Sequence, residues 1–205
     1  MFYMNLDDIK LTQIKSGRLP GYFFPKLIEL GHLKIEPFNE NSLGNISYYL
    51  HFNNKFREPI VGNEPINLLD KNSIDSAFHP YKEMESYILH PGKSVIAQTY
   101  EKVGCSEWFL CKLENTSALG RVLLNHASHG FLHPGHGINE PFNMMIELTN
   151  LGEKPVIIQS AKMENGKIIG PDSFRFYVEK LPYPATDYKS VSNVSKLKMD
   201  NSDKS

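Results

Sequence analysis

The chain has 205 residues, of which 40% are apolar and 22% charged, enough for one domain with a core and too few for two large ones. Its 22 basic and 23 acidic residues leave a formal net charge of -1, which offers no field to hold a nucleic-acid backbone, so no nucleic-acid partner is expected. No apolar run approaches the ~20 residues of a transmembrane helix, and the opening MFYMNLDDIK lacks the basic-then-apolar order of a signal peptide; the expectation is a cytoplasmic protein with no membrane partner.

Between Leu6 and Leu33, short apolar clusters are broken by Gly17, Pro20, Gly21, Pro25 and Gly31. Two similar segments, IKSGRL from Ile14 and IELGHL from Ile28, each predict the end of a short helix that a glycine stops before an extended segment. Pro25 suits the first turn of the second helix. Beyond Leu33 the helical periodicity disappears. LKIEPF, ISYYLHF, SVIAQTY, EWFLCKL, MMIELTN, KPVIIQS and FRFYVEK are short runs rich in β-branched and aromatic residues, separated by Gly, Asn, Pro and Asp. Many short strands, with no long helix to cross between parallel neighbours, predict a mainly β antiparallel sandwich or barrel of the jelly-roll kind. Asn53 to Ser86 reads as a polar excursion with room for one hairpin. Residues 1–180, including a helical N-terminal segment over 1–33, are expected to form one β domain. Residues 181–205 are expected to be a mobile polar tail able to fold over a ligand.

The chemistry-bearing residues gather between Lys112 and Asn150. Glu147 lies inside the apolar run Met144 to Leu148. A carboxylate there is either turned to water or held facing a pocket, where burial would raise its pKa toward that of a general base. Thr116 and Ser117 read on their own as a turn or a helix N-cap, and equally as hydroxyls that touch a ligand. His126, His129, His133 and His136 follow one another at short intervals that suit zinc. The intervening Pro, Gly and Asn turn the backbone repeatedly, so linear spacing does not put them on one side. Cys105 and Cys111, in C-S-E-W-F-L-C, match no common zinc or redox spacing and read as small core or surface residues. Asn150, Gly152 and Pro155 read most simply as hairpin residues.

Several segments, taken in order, resemble the dCTP deaminase branch of the dUTPase superfamily. LIELGHLKIEPFNENSLGNISYYLHFNNKFREP is similar to that family's opening, in which a short helix and a glycine lead to I-x-P-F and then to an S-x-D-L-R-L-G strand. LHPGKSVIAQTYEKV is similar to its L-x-P-G-E strand pair. LENTSALGRVLLNH falls where the family has G-R-S-S-x-A-R-x-G, and GFLHPGHG where it has G-x-I-D-P-G-[WF]-x-G. IELTNLGEKPVII falls where it has L-E-L-x-N-x-G-x-x-P-[IV]-x-[IL]. The likeness runs from Ile28 to Gly170.

The resemblance implies a dUTPase-like distorted β-barrel or jelly roll with short N-terminal helices, assembled as a homotrimer with sites between subunits. It implies a pyrimidine deoxynucleoside triphosphate as substrate, with Mg2+ bound through the triphosphate rather than by a protein cage. No zinc is expected, because the chain lacks the P-C-x-x-C element of the zinc-dependent base deaminases. Glu147 holds the place of the glutamate that activates the water attacking C4 of cytosine. Asn115, Thr116, Ser117 and Arg121 fall on the element that engages phosphates and the attacking water, and His133 on the turn that reads the sugar. There are departures. The family's first arginine becomes Asn115, which offers no charged fork; the second becomes Gly120 unless Arg121 serves; the turn aspartate becomes His133. The aspartate of the S-x-D-L-R strand becomes Tyr49, and the arginine after it His51. The function implied is hydrolytic deamination of dCTP to dUTP and ammonia. The alternative is a catalytically silent relative that binds a nucleotide or a protein partner, and dUTP diphosphatase chemistry is disfavoured by His133.

Overall fold

The computed structural model describes residues 10–127 and 130–185. In chain order the elements are β1 (Gly17–Arg18), α1 (Phe24–Glu29), β2 (Leu33–Glu36), β3 (Tyr48–Leu50), β4 (Lys55–Phe56), α2 (Lys71–Ser76), β5 (Lys82–Glu83), β6 (Ser86–Leu89), β7 (Ser94–Cys105), β8 (Phe109–Asn115), α3 (Ser117–Arg121), β9 (Leu124–His126), β10 (Gly130–Leu132), β11 (Phe142–Asn150), β12 (Val156–Gln159), β13 (Lys162–Glu164), β14 (Lys167–Ile169) and β15 (Phe174–Lys180). No described helix is long and apolar enough to cross a membrane.

The mainly β expectation holds. Of the two larger sheets, one runs β1-β15-β8-β10, with β3 also paired to β15, and the other runs β2-β7-β11-β9; β6 with β12, β13 with β14 and β4 with β5 form three two-stranded sheets, and every strand pairing is antiparallel. Among the described residues neither sheet closes into a barrel. Alternation in the strands explains the packing. β7 buries the period-two row Val95, Ala97, Thr99, Glu101, Val103 and Cys105, with Ile96 and Gly104 also covered on its other face, and β11 buries Met144, Ile146, Leu148 and Asn150. These rows meet Phe109, Cys111 and Leu113 of β8 and Phe174, Phe176 and Val178 of β15 in a single core. Each large apolar side chain sealed there contributes about 1.5–3 kcal/mol. Both cysteines are buried free thiols, and burial pushes the Cys111 thiol well up, so they belong to the core.

At the N-terminus, α1 carries Pro25 in its first turn and gives way to Gly31 at φ +73°, after which β2 begins. The first of the two similar segments forms no helix. Leu11–Gln13 make one 3-10 turn, and Ile14 is already extended (φ -75°, ψ 119°) with its side chain in the core. The polar excursion holds its hairpin, β4 against β5, and also the helix α2, which Asp70 caps by accepting the Asn72 N–H at 2.9 Å. Arg57 ties this excursion down by donating to the carbonyls of His79 (2.8 Å) and Asp75 (2.6 Å). A hairpin of this length needs an internal anchor, and the sequence pattern did not signal one.

Candidate functional site

β8 ends at Asn115, and the chain turns through Thr116 into α3. Thr116 occupies the N-cap position with extended geometry (φ -69°, ψ 162°) but makes no side-chain cap. Its N–H instead donates to Ser173 O (3.1 Å) and its hydroxyl to Asp172 O (3.3 Å), so the corner is held by the segment leading into β15. Thr116 is buried, whereas Ser117 and Arg121 are exposed. Arg121 Nε donates back to Ser117 O at 3.2 Å, and the residue lines an open cleft of about 580 Å3 with Val122, Leu123 and the Gly152–Ile157 turn. Asn115 is half-buried. Its Nδ2 donates to Leu124 O at 3.0 Å, and its Oδ1 is enclosed without a hydrogen-bond partner among the described residues. The amide therefore links β8 to β9 instead of facing solvent. Leu123 takes φ +56° to reverse the chain from α3 into β9, a left-handed conformation that costs a branched residue about 1–2 kcal/mol.

Glu147 stands on β11, which is flanked on both sides by β7 and β9, opposite Ile96 of β7. Its side chain is 37% exposed, neither sealed nor on a sheet edge. Glu147 Oε2 lies 3.8 Å from Nε2 of His126, whose side chain is only 6% exposed. That is ion-pair range, beyond a direct hydrogen bond. The Glu147 carbonyl accepts from Ala127 N–H at 2.8 Å, fixing the end of β9 against β11. The His126 ring lies 6.3 Å from that of Phe174, and Phe174 pairs with Asn115 across β15 and β8. Glu147, His126, Phe174 and Asn115 thus step from one sheet to the other, and the Thr116–Ser117 corner follows directly.

His133 is placed elsewhere. It is exposed in the loop after β10, and that loop docks on the far end of β7: Cys105 N–H donates to His136 O (2.9 Å), and the Cys105 thiol lies 3.5 Å from His133 O. From Ile96, opposite Glu147, to Cys105 is nine residues (105 - 96) of one strand, roughly 30 Å at strand rise. Within one chain, then, His133 and Glu147 do not share a pocket. The histidines disperse in the same way, with the covered His126 side chain beside Glu147 and His133 and His136 at this distant end. Burial holds the His136 imidazole below its ordinary value, with the neighbouring His133 adding to the effect. His129 lies outside the described residues. Among the described residues no group of three or more His, Cys, Asp or Glu side chains could hold a metal ion.

One constellation escaped the sequence reading. Glu101, fully buried on β7, contacts His51 Nδ1 at 2.6 Å, and His51 Nε2 lies 3.4 Å from Asp172. The signal was present in the alternation of SVIAQTYEKVGC, which puts Glu101 in the inward row with Val95, Ala97, Val103 and Cys105. A charge in an inward register demands a partner.

These features define a mainly β sandwich with a partly exposed carboxylate on an internal strand and hydroxyls at an adjoining strand-helix corner. The chain belongs to the dCTP deaminase-like family, whose model matches residues 19–163. Among its relatives, the dUMP-forming dCTP deaminase of Mycolicibacterium vanbaalenii is 29% identical over 136 residues, covering 64% of this chain and 68% of that one. The enzyme of the same description from Streptomyces coelicolor is 30% identical over 134 residues, covering 63% and 66%. Among solved structures, the 2'-deoxycytidine 5'-triphosphate deaminase from Agrobacterium tumefaciens superposes with a TM-score of 0.60 at 12% identity, over 82% of this chain and 49% of that one. This chain spans about half the length of that structure, and the likeness is one of fold.

Proposed function

We propose that the chain is a cytoplasmic hydrolase that deaminates dCTP to dUTP and ammonia, with Glu147 as the general base. The observation that carries this reading is Glu147 itself, a carboxylate on an internal strand beside the buried His126 imidazole, in a chain of the dCTP deaminase-like family. Glu147 takes a proton from water as the oxygen attacks C4 of cytosine, then delivers it to the departing amino group as the C–N bond breaks and ammonia leaves. Exposed Ser117 and Arg121, with Thr116 beneath them, would hold the phosphate-bearing part. A hydroxyl and a guanidinium suit phosphate oxygens rather than a bare cation. Mg2+ would therefore arrive on the triphosphate, where it offsets phosphate charge.

The roughly 30 Å of strand between Glu147 and the His133 loop supports a homotrimer in which His133 of one copy meets the sugar bound at Glu147 of another. Residues 1–180 would form the catalytic domain, with 181–205 closing over the ligand. Leu181 and Ala185 donate to the carbonyls of Trp108 and Glu107, and the tail beyond residue 185 lies outside the described residues. A second reading is favoured by Asn115. Where the resemblance places an arginine, this amide is tied to Leu124 O, as suits a relative that binds nucleotide without converting it.

One experiment separates these readings. The purified chain is incubated with dCTP, dUTP and dTTP plus Mg2+, ammonia and nucleotides are quantified, and the assembled mass is taken by sedimentation. Equal yields of ammonia and dUTP from a three-copy assembly are expected, with turnover at least ~10²-fold lower in Glu147→Gln while binding survives. Ammonia accompanied by dUMP and pyrophosphate would instead match the reaction named for the bacterial relatives. A thermal shift worth about 2.7 kcal/mol at a hundredfold excess over Kd, without product, would establish the silent binder.

A further inference from the structure

Glu101 is matched inside the fold on more than one side. Its Oε1 lies 2.6 Å from His51 Nδ1, and its Oε2 accepts the His51 backbone N–H at 3.0 Å. The His51 side chain is 3% exposed, and its other nitrogen lies 3.4 Å from Asp172 Oδ1, whose side chain is 57% exposed. A carboxylate only accepts hydrogen bonds, so an imidazolium satisfies both neighbours whereas a neutral ring donates to one. The nearby Tyr48 hydroxyl, pushed up to about 12 chiefly by burial and further by Glu101 and Asp172, stays neutral among them.

The segment that Asp172 belongs to has a second task. Its carbonyl accepts the Thr116 hydroxyl, the next carbonyl along, Ser173 O, accepts the Thr116 N–H, and Ser173 N–H donates to Leu50 O at 3.1 Å. The 171–173 segment is therefore held by His51 through its one charged side chain and by β3 through its backbone, and from it hangs the corner that presents Ser117. Were the pair present only to neutralise Glu101, the bonds to Nδ1 and the backbone would suffice and Asp172 would be idle.

We propose that His51 is a positioning residue: bridging Glu101 to Asp172, it sets the 171–173 segment and through it the Thr116–Ser117 corner that grips the substrate. The functional half rests on the proposed reading of Thr116 and Ser117 as nucleotide contacts; the mechanical half does not.

Two variants test it in the full chain. His51→Gln shortens the bridge at a buried position, and Asp172→Ala removes its far end at an exposed one, so the second folds even if the first does not. Amide hydrogen exchange at Thr116 reads the mechanical half, with the β11 amides as internal reference, and steady-state kinetics on dCTP read the functional half. Expected in both variants are Thr116 exchange faster by about fivefold or more, KM raised about three- to tenfold, as for the loss of one modest hydrogen bond, and kcat within twofold. Unchanged Thr116 exchange in Asp172→Ala overturns the proposal, as does a fall in kcat at constant KM, the mark of a merely structural role. Faster exchange in a chain whose unmutated form neither binds nor converts any pyrimidine deoxynucleotide supports the coupling and refutes the nucleotide reading instead.

Discussion

Asn150 ends the strand that carries Glu147, and its replacement by alanine gives a sharp test of how that strand is fixed. The residue is fully buried. Its Nδ2 donates to Leu89 O and Lys154 O, both at 2.9 Å, and its Oδ1 accepts the Gly152 N–H at 2.9 Å. Alanine keeps the backbone bonds to Lys93 O and from Gly92 N–H but abandons all three side-chain bonds. Leu89 is itself fully buried, so its carbonyl would lose its side-chain partner out of reach of water, at about 1–3 kcal/mol. The Lys154 and Gly152 groups lie in a more open turn where water can replace the amide, at about 0.5–1 kcal/mol each. The sum is about 2–5 kcal/mol, a large share of the ~5–15 kcal/mol that holds a typical domain. Urea unfolding followed by Trp108 fluorescence measures it, at one fixed protein concentration because association shifts the midpoint. A loss below about 1 kcal/mol would show that the turn hydrates freely and that Asn150 does not fasten β11 to β6.

Two further outcomes follow from the far end of β7. A Cβ added at Gly104 would sit 2.1 Å from Gly137 O and 2.3 Å from Gly137 C, so Gly104→Ala should cost about 1–3 kcal/mol or displace the His133 loop, read as a drop in Tm together with changed exchange across residues 133–137. His32 and His136 are both held below the ordinary imidazole value of 6.5, chiefly by burial. Their contribution to stability is therefore intact above pH 6.5 and lost as pH falls through the lower folded values, and Tm should decline on acidification more steeply in the unmutated chain than in a His32→Gln, His136→Gln double variant.

The strands were legible because period-two alternation is a local property: SVIAQTY, MMIELTN and FRFYVEK each mark β7, β11 and β15 without reference to the rest of the chain. Helix α2 was hidden because a polar six-residue helix shows no apolar stripe, and its cap at Asp70 reads equally as a turn. At the site, Glu147 was visible as a charge in an apolar run. The direction of Asn115 was not, since which way an amide points at a strand end depends on β9, a strand distant from it in space until the chain reverses at Leu123. The His51–Glu101–Asp172 bridge joins residues from three separate segments. His51 stood out only as a departure from the family's arginine, the inward register of Glu101 was the one local sign of a buried charge, and nothing local joined the two to Asp172.

The exposure of Glu147 bears on assembly. At 37% exposed, the Glu147 side chain of a lone chain is partly open to solvent, and a general base gains from losing contact with water. Covering by a neighbouring copy would dry the site and bring in His133, which its own chain holds at the other end of β7. Association would then complete the site as well as stabilise it. Glu147→Gln and His133→Ala chains should each be inactive alone. After mixing in equal amounts with subunit exchange, a site that takes Glu147 from one copy and His133 from the next is intact when both random choices are favourable, one half times one half, or about one quarter of full activity. Recovery near that fraction is expected from turnover assays on the mixture. No recovery after verified subunit exchange would place both residues' contributions within one chain, and a fully active His133→Ala protein would remove His133 from the site altogether.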